Sequence, residues 1–146
     1  MTKEDVLSFM QTYQRVTQNM FKFAPKYASI IFNLNSDHQI TAHTTLVAVR
    51  PISYHKVMPE IRCFETPSST EQAPNVDPYI FKPNFYVCIE NVWKKKIEAV
   101  NAYSKEIKKY PHPRSIKSIE SLAIKRGSEV NLKKAEAFYI IRKVWK

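Results

Sequence analysis

Glycine is almost missing. Gly127 is the only one among 146 residues, against nine prolines. Gly-rich phosphate loops need several glycines at fixed spacing, for tight turns and close backbone approach. One glycine supports neither a GxGxxG fingerprint nor a Walker A loop, which excludes a fingerprint-type dinucleotide site and a P-loop nucleotide hydrolase. Cysteine is scarce as well: Cys63 and Cys88 each stand among apolar residues, too few and too isolated for a zinc ribbon, and both are expected to be reduced core thiols. No apolar run approaches the ~18 residues of a membrane span. The opening MTKEDVLSFM puts two acids where a secretory signal carries a basic region. No signal peptide is expected, and the expected compartment is the cytoplasm.

What is present is a globular composition, 44% hydrophobic, of a length that favours one domain over residues 1–146. The formal net charge of +10 is unevenly spread. Residues 1–90 hold eight Lys and Arg against eight Asp and Glu, whereas residues 91–146 hold fifteen against five. A basic surface of this kind can meet nucleic acid or anionic membrane. The sequence shows no aromatic platform interleaved with the lysines and no helix-turn-helix or RNA-binding signature, so a solvated lysine-rich helical face is the preferred reading and nucleic acid is an unlikely partner.

Periodicity lays out an α/β alternation. Val6, Phe9, Met10, Tyr13, Val16, Met20 and Phe21 recur at steps of three and four, an amphipathic helix ended by Pro25. YASIIFNL (27–34) reads as a strand buried on both faces. A helix follows over 38–50, with Asp37 placed to cap it. Strands are expected at 60–66 and 83–90, joined by a Pro- and Ser-rich loop long enough to be functional or mobile. A helix is expected over 91–110, then a break at PHPRS, then a helix with Ser115 as N-cap and Gly127 as the C′ residue. Residues 135–145 lean towards strand through Phe138, Tyr139, Ile140 and Ile141.

Asp37 and His38 sit side by side at the mouth of a helix. A catalytic zinc takes three protein ligands and keeps a fourth position open. His38 and His43 are five residues apart, about 140° around a helix, and so do not share a face as the two histidines of HExxH do. Spacing alone thus offers one metal ligand, and an Asp cap with a bystander His is the simpler reading.

A resemblance adds to this. SDHQITAHTTLVAVRP, FETPSSTE, PNFYVCIENVWKKKIEAVNAY and YPHPRSIKSIESLAIKRGSEVNLKKAEAFYIIRKVW follow one another as blocks of one family. The strongest block is His112-Pro113-Arg114-Ser115, followed by Glu120, Leu122-Ala123, Arg126-Gly127 and Ala135-Glu136-Ala137-Phe138. From about Asp5 onward the chain resembles the PIG-L/LmbE-like zinc-dependent N-deacetylases, which remove acetyl groups from N-acetylglucosamine-type sugars. The resemblance implies an α/β fold of the incomplete Rossmann-like three-layer kind, a mostly parallel sheet with flanking helices. It makes His38 the third zinc ligand and sets Asn35, Asp37 and His112 on the catalytic side. Asn35 stands where many members have a His, and an amide can donate a hydrogen bond but cannot shuttle a proton. Arg114 is expected to line the sugar end, with Ser68 and Ser69 on a substrate-side loop.

The family's Ala-His-Pro-Asp-Asp-Glu motif, which supplies two zinc ligands and the general base, has no counterpart: no His precedes His38, and no Asp-Asp occurs. The expectation is therefore a single truncated deacetylase domain. Zinc is its family cofactor, an N-acetylated sugar its family substrate, and the isolated chain is expected to be inactive. Two alternatives stay open. The chain is one half of a split deacetylase completed by another polypeptide, or it is a non-catalytic binding module for sugar or, through its basic third, nucleic acid. An unpaired sheet edge beside 27–34 would also favour self-association.

Overall fold

The computed structural model describes residues 35–52, 58–77 and 79–145. The helix expected over 3–24, the strand expected over 27–34 and His55 lie outside them. The first element, α1 (Ser36–Ala48), begins two residues earlier than the sequence pattern suggests. Its cap is Asn35, whose Oδ1 accepts the Asp37 N–H at 2.9 Å, and not Asp37. Asp37 falls in the first turn instead, where its charge favours the positive end of the helix dipole. Ala42 and Thr45 are the buried positions, and the buried Val49 closes the helix by donating to the Thr45 carbonyl at 3.1 Å.

Three strands follow as expected: β1 (Ile61–Phe64), β2 (Phe85–Cys88) and β3 (Ala135–Arg142). They form one sheet in the order β1-β3-β2, and both pairings are antiparallel. This mixed α/β arrangement departs from the mostly parallel sheet that the resemblance implies. The reason lies in the connections. Parallel neighbours need a crossover, usually a helix; here β1 and β2 run the same way on opposite sides of β3, joined by the irregular 65–84 loop. Phe138 of β3 faces Phe64 on one side and Phe85 on the other, an aromatic row across all three strands. Such cross-strand pairs hold register, because a slip by one residue would turn every side chain to the other face.

Helix α2 (Trp93–Ala102) is entered through a short 3-10 turn at Glu90–Val92 and stops eight residues before the expected end. Past Tyr103 the backbone seeks tertiary partners, with the Lys108 N–H donating to the Arg114 carbonyl at 3.4 Å. Helix α3 (Ile116–Ser128) is capped by Ser115 as expected, its Oγ accepting the Ser118 N–H at 3.1 Å. Gly127 is not the C′ residue: it lies inside the last turn, and its φ is not positive. It is needed for room. A Cβ there would stand 2.5 Å from the Leu132 carbonyl oxygen and 2.9 Å from the Lys134 nitrogen. The turn that brings the chain back is made by Asn131, at φ 58, a left-handed conformation that Asn tolerates better than most residues.

Helix α3 packs on β3, and α1 joins the other end of the sheet through Val49 and Ile61, with Leu46 and Ile141 against them. Arg142 Nη2 reinforces that junction by donating to the Val49 carbonyl at 2.6 Å. Of the two thiols only Cys63 is a core group; Cys88 is exposed, its Sγ 3.8 Å from a Glu90 carboxylate oxygen. No helix among the described residues is long and apolar enough to cross a membrane.

Candidate functional site

A cleft of about 660 Å³ opens where α1, α2, α3 and β3 converge on the loop after β1. Its apolar lining comes from α3 (Ile119, Leu122, Ala123) and from the Ala135, Ala137 and Phe138 positions of β3. Phe64 and Tyr103 add aromatic rings. His38, in the first turn of α1, reaches the cleft, and so do Thr66, Pro67 and Arg114.

Arg114 is held on several sides. Its Nε donates to Ser68 Oγ at 2.8 Å, its Nη1 pairs with Glu106, and its backbone N–H donates to His112 Nδ1 at 3.0 Å. As the acceptor of that bond, Nδ1 carries a lone pair, so a ring proton belongs on Nε2. The loop that Arg114 grips closes on itself. Thr66 accepts the N–H groups of Ser69 and Thr70 at its carbonyl, and its own N–H donates to Thr70 Oγ1 at 2.9 Å. Ser68, at the tip, has φ 71 and donates its N–H to Glu71 at 2.5 Å. Ser69 is buried.

Each cation in the cleft has a carboxylate. Lys96 Nζ meets Glu136 at 2.6 Å, and Arg114 meets Glu106. Arg126 grips Glu65 with two bonds, of 2.6 and 2.8 Å. Arg126 is only 8% exposed, and its Nη1 also reaches Glu129 at 2.8 and 3.0 Å, while Tyr86 Oη donates to the same carboxylate at 2.9 Å. The paired Glu65 raises the Arg126 pKa, against burial. Burial alone would push the Glu129 carboxyl up, but the hydrogen bonds from Arg126 and Tyr86 outweigh it and leave it below its ordinary value. Burial and the Glu129 carboxylate push the Tyr86 phenol up.

The site residues expected from the sequence thus divide. His38, Arg114 and the start of the PSSTE loop meet at one cleft. His112 stands behind Arg114 and is not a lining residue; Asn35 and Asp37 are exposed, with Asn35 spent on the helix cap. Ser68 acts on the cleft through Arg114. Sequence reasoning missed Glu65, Lys96, Tyr103 and Glu106 as lining groups. Arg126 and Glu136 stood within the family-like blocks, but nothing marked Glu65, 61 residues from Arg126, as its partner. Zinc is not a fit for these residues by themselves: among them no three His, Cys, Asp or Glu side chains converge, and a catalytic zinc takes three. No family model, curated protein or solved structure matches the chain.

Proposed function

We propose that the cleft is a sugar-binding pocket corresponding to the substrate side of a PIG-L/LmbE-like N-deacetylase site, and that the described residues act as a binding module. The observation that carries this reading is the meeting of His38, Thr66, Pro67 and Arg114 at one cleft. They come from three separate stretches of chain, and they are the stretches the resemblance assigns to the site. The chemistry of the lining agrees. A pyranose has an apolar C–H face, which suits Phe64, Tyr103 and Phe138, and hydroxyls, which suit the polar rim. The charged groups are already matched in pairs, which favours a neutral N-acetylated sugar over an ionic one.

Hydrolysis belongs to a second level. In this reading His38 is the one metal ligand the described residues contribute, and the remaining ligands and the base come from outside them. The antiparallel sheet is then the outer portion of a larger Rossmann-like assembly. A complementing polypeptide would complete both. The test is a titration with N-acetylglucosamine, watching the amide and imidazole NMR signals. Shifts confined to His38, 64–67, 103–114 and 135–138, abolished by Arg114→Ala, are the expected result. An unchanged spectrum at millimolar sugar refutes the reading.

A further inference from the structure

The segment from Tyr103 to Lys117 carries Lys105, Lys108, Lys109, Arg114 and Lys117 against one acid, Glu106. Glu106 is taken by the Arg114 guanidinium. The four lysines therefore have no carboxylate partner among the described residues. The sequence suggested a solvated helical face, which would spread such charges around a cylinder. Because α2 stops at Ala102, the chain gathers them instead. Lys108 Nζ lies 3.1 Å from the Lys105 carbonyl oxygen, and the Lys109 carbonyl accepts the His112 N–H at 3.1 Å. The Lys108 N–H bond to the Arg114 carbonyl draws residues 105–109 beside the start of α3. There Lys117 Nζ rests 4.3 Å from the centre of the Tyr110 ring.

We propose that this face, Lys105, Lys108, Lys109 and Lys117 around Tyr110, docks single-stranded nucleic acid. Like charges gathered without counterions repel one another, and a phosphate chain relieves that repulsion while releasing its own condensed ions. The exposed aromatic beside them is a phenol: Tyr110 is 60% exposed. Ring faces next to cations are what an unpaired strand uses, bases stacking while phosphates meet lysine. The aliphatic neighbours Ile107 and Ile116 are half-buried, so the face lacks the apolar wedge an anionic membrane surface takes. Lys105, Lys108 and Lys109 sit on an irregular turn and Lys117 in the first turn of α3, so the four do not run along one helix face that could enter a duplex groove, which favours the flexible single strand. None of the four lysines, nor Tyr110, lines the cleft, so the proposal does not rest on the sugar reading.

The probe is a fluorescein-labelled 20-mer of deoxythymidine, followed by anisotropy with the full chain from 50 to 300 mM NaCl. Four phosphate contacts predict a slope of log K against log salt of about −3. The variant K105Q/K108Q/K109Q/K117Q, with its fold checked by circular dichroism, is expected to weaken binding at least about tenfold at low salt and to flatten the slope towards zero. The control K94Q/K95Q on α2 is expected to keep most of the affinity. Tyr110→Leu tests stacking separately and is expected to lower affinity without altering the slope. Equal losses in the two lysine variants would mean diffuse charge only and overturn the proposal. So would no binding at 50 mM salt, or tighter binding to phosphatidylserine vesicles than to the oligonucleotide with the same lysine dependence.

Discussion

Arg114 Nε lies 2.8 Å from Ser68 Oγ, across 46 positions of chain. That bond ties the loop after β1 to the turn before α3, one on each side of the cleft. Its guanidinium is partly exposed, so the ion pair with Glu106 contributes little to global stability, about 0–1 kcal/mol. Arg114→Ala is expected to leave the denaturation midpoint nearly unchanged while speeding amide hydrogen exchange at Ser68, Ser69 and Thr70. Unchanged exchange in that loop would mean that it holds its shape without Arg114.

Arg126 is the opposite case. It is buried and bonded to Glu65 and Glu129. Removing one member of a buried ionic group strands the others, at about 3–5 kcal/mol. Urea denaturation of Arg126→Ala should show a loss of that order. Arg126→Lys should recover only part of it, because an ammonium cannot reproduce the two-pronged bond to Glu65.

Gly127→Ala sets two effects against each other. Alanine improves helix propensity by roughly 1 kcal/mol. The new methyl, however, would meet the Leu132 carbonyl at 2.5 Å, a backbone atom that cannot swing aside. Overpacking of this kind typically costs about 1–3 kcal/mol. The net expectation is destabilisation, with the turn at 129–134 displaced; a higher melting temperature would show that the turn relaxes freely.

The pH profile of stability is expected to show two shoulders. Glu60 and Glu129 are held below the ordinary 4.5, Glu60 chiefly by its bond from Arg62. A lowered carboxyl pKa means that the unfolded chain binds the proton more readily. That stability is present above 4.5 and is lost as pH falls through the folded values. Tyr86 is raised above its ordinary 10.0, so its share is present below 10 and is lost as pH rises through the folded value. Glu129→Gln should shrink both shoulders, since Arg126 and Tyr86 share that carboxylate. Melting curves across the range would detect this, and an acid shoulder unchanged in the variant would remove Glu129 from it.

For the metal, the expected outcome is less than one zinc per chain after dialysis against micromolar zinc, with no release of acetate from N-acetylglucosamine. Among the described residues no group of three or more His, Cys, Asp or Glu side chains comes together to hold a metal. One tightly held zinc per chain, lost in His38→Ala, would show that ligands outside those residues complete the centre.

Local signals in the sequence proved readable where one residue type does one job. Ser115 caps α3 because a hydroxyl followed by a helical run offers an acceptor to the free N–H groups. The β1, β2 and β3 runs are strands because their branched and aromatic side chains suit a pleated surface. What stayed hidden depends on pairs far apart in the chain. Antiparallel pairing of Phe64 and Phe85 with Phe138 leaves no local trace. Gly127 shows neither that it lies inside the helix nor that the backbone of 132–134 presses on it. The early end of α2, where Tyr103 leaves helical dihedral angles, has no counterpart in the helical periodicity of the apolar residues, which runs on to Ile107. For the cleft, the resemblance pointed to His38 and Arg114, but the matching of charges around them became visible only in three dimensions.

The central position of β3 carries a consequence for biosynthesis. Both β1 and β2 hydrogen-bond to β3 and not to each other, yet β3 is the last of the three to be translated. Among the described residues, a nascent chain that has emerged only as far as α3 offers β1 and β2 no strand to pair with. The described sheet cannot close until the ribosome has released Ala135–Arg142, so the cleft built on it is assembled late. A chain halted before Ala135 would lack the central strand on which the described sheet is built.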